Sequence, residues 1–355
     1  MKIEKLIKDA ILSQEAYFIE EAPCRIKLDA NENPYTLSED LRKEMEQYIK
    51  KVSLNRYPDP GSRLLKRRLA ENLHVDEEML LIGNGSDELI HLLLLAFRSN
   101  PAGGVVIPVP TFAMYKISAV NAGQEIIEVP LNDDFDLDLD AMTAAMSRFD
   151  PDLVFLSYPN NPTGNLFSRD TIERLLSRSR GIVVVDEAYC PFSQTSFLSD
   201  LRRWENLVVL RTLSKMGFAA LRLGILIAHP AIVRELNKVR LPYNVNALSQ
   251  AVGLFVLDHE SGFHRQALQI IDERKKLFEA LQGLDGITPH RSDANFILFS
   301  CALQKNAIYE NLLERGIVIK NFSSPGPLQQ CMRVTVGRED ENQEFLSALR
   351  DILRQ

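Results

Sequence analysis

Cysteine is scarce in this chain of 355 residues, which has four: Cys24, Cys190, Cys301 and Cys331. They lie far apart and form no Cys-x-x-Cys pair, so the sequence indicates neither a zinc site nor a disulfide framework. We therefore expect no bound metal. Cysteines without a disulfide framework are typical of a reducing compartment, so we expect the protein in the cytoplasm.

Long apolar runs and a basic surface are also lacking. No apolar run approaches the roughly 20 residues that a membrane span requires. The formal net charge of −7 argues against a nucleic-acid partner, while it allows a local anion pocket. Residues 1–17 alternate charged and apolar side chains at helical spacing, which indicates an amphipathic arm and not a signal peptide.

Hydrophobic patterning predicts two domains of different architecture. From about residue 80 to about 245, short apolar runs alternate with helical patterns, which is typical of a mostly parallel sheet flanked by helices. A long amphipathic helix over about 248–282 then introduces an α+β pattern. We predict an α/β fold with an N-terminal arm at 1–30, a large domain at 31–247 and a small C-terminal domain at 248–355.

The clearest strands of the large domain are β-branched and apolar on both faces, as buried parallel strands are. They cover 153–158, 181–188, 206–213 and 222–229. Ser168 is expected to cap a helix that follows the first of them. In the small domain we predict strands at 294–300, 316–322 and 332–337, followed by a last helix from about 340.

Polar residues stand at the carboxyl ends of three predicted strands, where ligands bind in open α/β sheets. The first strand runs into NNPTG (160–164), the second ends in Asp186 with Tyr189 after it, and the third ends in Ser214-Lys215. Each alone has an ordinary structural explanation, such as a turn, a helix N-cap or a solvated lysine. Their occurrence together favours one site that combines an amide, a carboxylate, a phenol and an amine.

These four groups suit the chemistry of pyridoxal 5′-phosphate (PLP). A carboxylate such as Asp186 stabilises the proton on the ring nitrogen, and Asn161 and Tyr189 would hold the 3′ oxygen. Lys215 would form a Schiff base with the aldehyde. Once the substrate displaces it, the freed amine would move a proton from the substrate's α-carbon to the cofactor's C4′.

A phosphate site is indicated separately by GNGSDELI (83–90), a glycine turn that opens an apolar helix. The free N–H groups and the dipole of a helix N-terminus attract anions. Ser214 and Arg222 would add a hydroxyl and a guanidinium, and Phe112 would stack on the pyridine ring. The alternative without a bound ligand is that the turn only precedes a capped helix and that Phe112 is an aromatic residue of the core.

With these residues the chain resembles the fold-type-I PLP aminotransferases and, within them, the histidinol-phosphate aminotransferases. Ten motifs occur in the family's order over nearly the whole chain. They are LDANENPY (28–35), RYPDP (56–60), GNGSDELI (83–90), PTFAMY (110–115), YPNNPTG (158–164), VVDEAY (184–189), RTLSK (211–215), LRLG (221–224), ANF (294–296) and RVTVG (333–337).

The resemblance implies a homodimeric enzyme of histidine biosynthesis that transfers an amino group from L-histidinol phosphate to 2-oxoglutarate. It implies that Lys215 is the Schiff-base lysine, that Asp186 meets the pyridinium, and that Asn161 and Tyr189 hold the 3′ oxygen. The residues implied around the phosphate are Gly85, Ser86, Asp87, Ser214, Arg222 and, from the neighbouring subunit, Tyr57. Those implied around the substrate are Tyr17, Asn31, Asn84, Tyr115 and Arg333.

Three positions depart from the family pattern. The segment between Lys215 and Arg222 is one residue shorter than is common, Lys320 stands where an arginine is frequent, and Glu344 occupies a place where some members have a second arginine. An aromatic aminotransferase and a threonine-phosphate decarboxylase therefore remain possible readings of the same motifs. A non-catalytic PLP-binding regulator is a weaker hypothesis, because the arm before residue 28 is too short and not basic enough for a DNA-binding module.

Overall fold

Two β-sheets organise the chain in the computed structural model, which describes residues 3–14, 16, 24–97, 103–301, 304–323 and 325–354. The strands are β1 (Ile26–Leu28), β2 (Leu80–Asn84), β3 (Val105–Val109), β4 (Ile126–Pro130), β5 (Leu153–Ser157), β6 (Ile182–Asp186), β7 (Leu207–Thr212), β8 (Leu223–Ala228), β9 (Ile287–Pro289), β10 (Phe296–Cys301), β11 (Ile317–Asn321) and β12 (Cys331–Thr335). In the ranges above, no helix is both long and apolar enough to cross a membrane.

The helices of the described ranges flank these strands. They are α1 (Asp9–Leu12), α2 (Glu39–Ile49), α3 (Arg63–Leu73), α4 (Ser86–Ala96), α5 (Ala113–Ala122), α6 (Leu139–Phe149), α7 (Arg169–Arg178), α8 (Cys190–Ser193), α9 (Pro230–Val239), α10 (Ala247–Asp258), α11 (Glu260–Gln282), α12 (Lys305–Glu314) and α13 (Glu339–Leu353). Short 3-10 helices at Ser214–Met216 and Ala219–Leu221 lie between β7 and β8.

The larger sheet has the strand order β2-β8-β7-β6-β5-β3-β4. Strands β3 to β7 are parallel, whereas β8 is antiparallel to both β7 and β2. The predicted mostly parallel α/β sheet is confirmed, but the prediction that 222–229 forms a parallel strand is wrong. Residues 213–222 alone connect β7 to β8, and a parallel crossover needs about a dozen residues or more.

Helices bury both faces of this sheet. On β5 and β6, Phe155 and Val184 belong to an apolar cluster with α4 and α5, while Leu156 and Val185 belong to a second cluster with α6, α7 and α10. This two-sided burial is what the continuous apolar runs predict. The predicted cap of α7 is also confirmed, since Ser168 Oγ accepts a hydrogen bond from the N–H of Thr171 at 3.4 Å.

The smaller sheet has the order β1-β11-β12-β10-β9. Its strands β10, β11 and β12 confirm the three runs predicted after residue 290, and β12 lies between the other two and antiparallel to both. Strand β1 pairs with β11, and Asn31 in the segment that follows β1 bonds both to Thr335 of β12 and to Tyr189 after β6. The division of the chain at residues 31 and 247 stays a prediction.

His259 separates α10 from α11, so the prediction of one helix over 248–282 is wrong. The backbone at His259 has φ −118° and ψ 17°, which is not helical. Its ring Nδ1 lies 2.8 Å from the carbonyl oxygen of Phe255, an atom that can only accept. This nitrogen therefore carries a hydrogen and caps the end of α10. The amphipathic pattern continues across the break because both helices bury one face.

A buried ion pair joins the ends of β6 and β7. Glu187 is fully buried and accepts hydrogen bonds from Arg211 Nε at 3.1 Å and Arg211 Nη2 at 3.0 Å. It also accepts from Ser196 Oγ and from the N–H of Phe197. The pair thus holds together two strand ends that carry polar residues of the expected site.

We predict that Glu187→Gln lowers the free energy of unfolding by about 3 kcal/mol, because one partner of a buried ion pair is left without its counter-charge. Urea denaturation measures the change. The matched control is Glu46→Gln on α2, which breaks an exposed pair with Lys50 and should change stability little. Equal unfolding midpoints for Glu187→Gln and the wild type would contradict the prediction.

Candidate active site

One edge of the larger sheet gathers the candidate residues. Strands β2, β3, β5, β6 and β7 end at this edge, and antiparallel β8 begins there. The reversal of β8 therefore brings Arg222, which directly precedes it, to the edge where Asp186 and Lys215 follow their strands. A connection of the parallel type would have placed Arg222 at the opposite edge of the sheet.

Asp186 lies at the end of β6 and is only 3% exposed. Its Oδ2 accepts a hydrogen bond from the hydroxyl of Tyr115 at 2.8 Å, and its Oδ1 accepts from the N–H of Ala188 at 3.1 Å. Burial raises the pKa of Asp186 to about 6, and these two donors act against that rise. A group with such a pKa would be strongly attracted to a protonated ring nitrogen.

Tyr189 presents a buried phenol beside two amides. Its hydroxyl oxygen accepts hydrogen bonds from Asn31 Nδ2 at 3.0 Å and from Asn161 Nδ2 at 3.2 Å. The phenol and an amide thus meet as the sequence predicts for the 3′ oxygen of the cofactor. Asn31, expected at the substrate, contacts the same hydroxyl.

The amine of Lys215 lies within this group. Its Nζ donates to the carbonyl oxygen of Ala30 at 3.3 Å and lies 5.6 Å from the centroid of the Tyr189 ring. The half-buried lysine is therefore near the phenol that would hold the 3′ oxygen. A lysine at this place is compatible with the expected Schiff base to the aldehyde of PLP.

A cup for an anion forms where α4 meets β8. Gly85 precedes α4 with φ +81°, and Ser86 and Asp87 form the first turn, where backbone N–H groups are free to bind an anion. Arg222 Nη2 donates to Asp87 Oδ2 at 2.7 Å, although its loop is shorter than is common in the family. Ser214 is buried, with its Oγ 2.9 Å from Thr212 Oγ1.

Two glycines allow the parts of this cup to approach each other closely. A Cβ atom on Gly85 would lie 2.5 Å from Arg222 Nη2, and one on Gly224 would lie 2.4 Å from the carbonyl carbon of Gly85. A side chain at Gly85 would therefore displace Arg222, and one at Gly224 would displace the backbone turn that carries the N–H groups. Together with the carboxylate, phenol, amide and amine, the cup is compatible with PLP. Phe112, expected against the pyridine ring, is half-buried at the start of α5.

Arg333 comes to the site from the smaller sheet. It is 8% exposed on the central strand β12, and not a surface residue of an edge strand. Its Nη1 donates to Asn161 Oδ1 at 2.5 Å and its Nη2 to the carbonyl oxygen of Asp29 at 2.7 Å. Its guanidinium also lies 5.1 Å from the Phe296 ring centroid. These contacts orient the guanidinium beside the groups expected to hold the cofactor.

Lys320, which stands where an arginine is frequent in the family, is a further site candidate. It is exposed on β11 and lies directly opposite Arg333 in the antiparallel register, so both side chains are on one face. A strand pairing, which one sequence does not reveal, was needed to find this neighbour. Glu344 has a different environment, since it pairs with Arg25 at the surface.

The other expected residues lie in different surroundings. Asn84 is exposed at the end of β2, with its N–H bonded to Glu88. Tyr115, expected at the substrate, is fully buried and its hydroxyl donates to Asp186. Tyr57 is 81% exposed and stacks on Tyr243. Tyr17 lies outside the described residues.

Comparison with known proteins gives matches over nearly the whole chain. Residues 25–349 match the family described as aminotransferase class I and II. The histidinol-phosphate aminotransferase 2 of Nitrosococcus oceani is 47% identical over 352 residues, which cover 98% of this chain and 98% of that protein.

Two solved structures share the fold. Histidinol-phosphate aminotransferase from Sinorhizobium meliloti, in complex with pyridoxal-5′-phosphate, has a TM-score of 0.87 and 23% identity over 98% of this chain and 97% of that chain. L-threonine-O-3-phosphate decarboxylase from Porphyromonas gingivalis has a TM-score of 0.80 and 26% identity over 93% of this chain and 100% of that chain.

The fold and the site define an enzyme of amino-group chemistry. The chain belongs to the aminotransferase class I and II family.

We predict that Gly224→Ala weakens the affinity of the apoprotein for PLP by about tenfold or more. The added Cβ would displace the backbone of Gly85 and Ser86, and a hydrogen bond to a charged group contributes about 1.5–3 kcal/mol. Fluorescence titration measures the affinity. Gly262→Ala is the control, since a Cβ there meets only Arg265 at 3.9 Å. Equal affinities for both variants would contradict the predicted role of the cup.

Proposed function

We propose that the chain uses PLP to transfer the amino group of L-histidinol phosphate to 2-oxoglutarate, which gives imidazole acetol phosphate and glutamate. The observation that carries the proposal is the meeting of Asp186, Tyr189 and Lys215 with an anion cup at one sheet edge. The 47% identity to a histidinol-phosphate aminotransferase supports the choice of substrate. Such an enzyme would serve histidine biosynthesis in the cytoplasm.

The residues at the sheet edge divide the work of this reaction. When bound, PLP supplies an aldehyde that combines with amines and a protonated ring that withdraws electrons from the substrate's α-carbon. Asp186 holds the proton on the ring nitrogen, and Tyr189 and Asn161 donate to the 3′ oxygen. Lys215 Nζ anchors the cofactor before the substrate binds, and then moves a proton between the α-carbon and C4′.

The substrate end of the proposal depends on an anion clamp. Histidinol phosphate carries its phosphate ester near the place where glutamate carries its α-carboxylate. The planar guanidinium of Arg333 can bind either group through two hydrogen bonds. Lys320, on the same face of the smaller sheet, adds a second positive charge. One clamp would therefore serve both half-reactions.

Decarboxylation of threonine phosphate is the second candidate function. The likeness to a solved threonine-phosphate decarboxylase favours it over an aromatic aminotransferase, and this substrate would also need an anion clamp. The two candidates differ in the bond that breaks, since a decarboxylase releases carbon dioxide and a transaminase passes the amino group to an oxo acid.

One assay separates the candidates. The purified protein with PLP is mixed with histidinol phosphate and 2-oxoglutarate, and glutamate is measured, with Lys215→Ala as the inactive control. We expect glutamate from the wild type only. Carbon dioxide released from threonine phosphate would instead favour the decarboxylase. Higher kcat/KM for phenylalanine or tyrosine than for histidinol phosphate would favour an aromatic aminotransferase.

We predict that Arg333→Lys lowers kcat/KM for both histidinol phosphate and glutamate, because lysine keeps the charge but loses the planar fork. The expected loss is roughly 1.5–3 kcal/mol of binding to the anion, the contribution of a hydrogen bond to a charged group. Free histidinol, which lacks the phosphate, should be a poor substrate that the change hardly affects. Arg203→Lys, at an exposed arginine, is the control.

If the wild type used histidinol as well as its phosphate, the proposed clamp would be wrong. If the variant lost activity on one substrate but not on the other, Arg333 would serve a single half-reaction.

We also propose that the enzyme acts as a homodimer, with Tyr57 in the site of its partner. Tyr57 is 81% exposed and stacks on Tyr243 at a centroid distance of 4.5 Å. Leu54 and Leu241, close to these tyrosines in sequence, are 81% and 70% exposed. Large exposed apolar side chains in one region favour an interface with another protein surface.

A mixed dimer tests the role of Tyr57. In a dimer of the wild type with Tyr57→Ala/Lys215→Ala, the intact lysine would face the altered tyrosine position. We predict weaker PLP binding at this site, because one phosphate contact is lost. The measurement is PLP affinity in differently tagged, purified heterodimers, with wild type paired with Lys215→Ala alone as the control. Affinity equal to the control would contradict the cross-subunit role.

A further inference from the structure

Tyr115 contacts the candidate site through the carboxylate of Asp186. It lies on α5, three residues after Phe112, and is fully buried. Its ring stacks on Phe155, with centroids 5.0 Å apart and planes at 18°, and meets the edge of Phe112 at 5.5 Å. The aromatic contacts fix the ring, so its hydroxyl is held towards Asp186 Oδ2 at 2.8 Å.

The contacts of Asp186 leave room for one more partner. The carboxylate accepts from Tyr115 at Oδ2 and from the N–H of Ala188 at Oδ1. A carboxylate has about four acceptor positions, so both oxygens retain the capacity to accept a further hydrogen bond. Two fixed donors on the protein side determine how the carboxylate plane is oriented towards such a partner.

The charges around Asp186 give the phenol of Tyr115 an electrostatic role in addition to its packing. Burial raises the pKa of Asp186 to about 6, and the negative charges of Asp87 on α4 and of Glu187 add to the rise. The hydroxyl of Tyr115 and the N–H of Ala188 oppose it. Burial, together with the nearby Asp186, also raises the pKa of Tyr115 well above its usual value, so the phenol keeps its hydrogen and stays a donor.

We propose that Tyr115 is a positioning residue for the reaction, whose phenol orients the Asp186 carboxylate and favours its ionised form before the cofactor's ring nitrogen binds. The inference rests on the proposed function, since it takes that nitrogen to belong to PLP. Tyr115 itself does not touch the substrate. Its effect passes through Asp186, and the same turn of α5 places Phe112 where it would meet the face of the ring.

Pyridoxine 5′-phosphate tests the inference, because it has the ring nitrogen and the phosphate but no aldehyde to react with Lys215. Its affinity for the apoprotein is measured from pH 5 to pH 8 in the wild type and in Tyr115→Phe. Loss of a donor to the carboxylate favours the protonated form, so the midpoint of Asp186 should rise above about 6. Pyridoxine 5′-phosphate should bind the form of the protein in which Asp186 is ionised. As the pH is lowered, its affinity should therefore begin to fall at a higher pH in Tyr115→Phe than in the wild type.

The expected loss of affinity follows from the rise in the pKa of Asp186. For each unit of rise, the affinity of Tyr115→Phe should be about tenfold lower than that of the wild type at pH 5, and the two should agree within about twofold at pH 8. Tyr158→Phe is the control. Tyr158 is also a buried tyrosine, but its ring packs against Phe197 and its hydroxyl interacts with Thr195 and Arg169. We expect its profile to match the wild type.

A double-mutant cycle separates positioning from a structural role. In an Asp186→Asn background, Tyr115→Phe should change the affinity less than twofold, because there is no carboxylate left to orient or ionise. An equal loss in both backgrounds would overturn the inference, and so would an unchanged pH midpoint in Tyr115→Phe.

If Tyr115→Phe did not fold, 3-fluorotyrosine at position 115 provides the opposite change. Its phenol is a stronger acid and a stronger donor, so the midpoint should move to lower pH, and an unchanged midpoint would overturn the inference. Failure of the wild type to bind pyridoxine phosphate at any pH would instead refute the proposed function, and the inference with it.

Discussion

The buried carboxylate of Asp186, at the end of the central strand of the larger sheet, is the constraint on which the site depends. Burial raises its pKa to about 6, since the charged form loses its hydration. Hydrogen bonds from Tyr115 and Ala188 offset part of this cost. The positive ring nitrogen of a bound cofactor would supply a counter-charge to this buried carboxylate.

A short segment before α2 connects this centre to the smaller sheet. The carbonyl oxygen of Asp29 accepts from Arg333, that of Ala30 accepts from Lys215, and the amide of Asn31 donates to Tyr189. The clamp, the amine and the phenol are thus held by three consecutive residues. Through this segment, the position of Arg333 on the smaller sheet is linked to the positions of Lys215 and Tyr189 beside the larger sheet.

Much of this arrangement was predictable because the relevant residues follow strands that are apolar on both faces. The carboxyl ends of β5, β6 and β7, and the cap at Ser168, follow from local patterns. The antiparallel direction of β8 could not be predicted in this way, because the composition of β8 matches that of its parallel neighbours. The short connection between β7 and β8 explains this direction.

The sequence also did not predict the hydrogen bond from Tyr115 to Asp186 or the pairing of Lys320 with Arg333. Both depend on tertiary contacts between elements distant in sequence. The break at His259 depends on a ring that caps a carbonyl, which helical periodicity does not reveal.

Covalent attachment of the cofactor to Lys215 is the most direct test of this site. The holoprotein is treated with borohydride, digested, and mapped by mass spectrometry for the peptide that carries the reduced pyridoxyl group. The expected result is a label on Lys215 alone. A label on another lysine, such as Lys27, whose amine lies 3.0 Å from Asp29, or the absence of any label, would contradict the assignment.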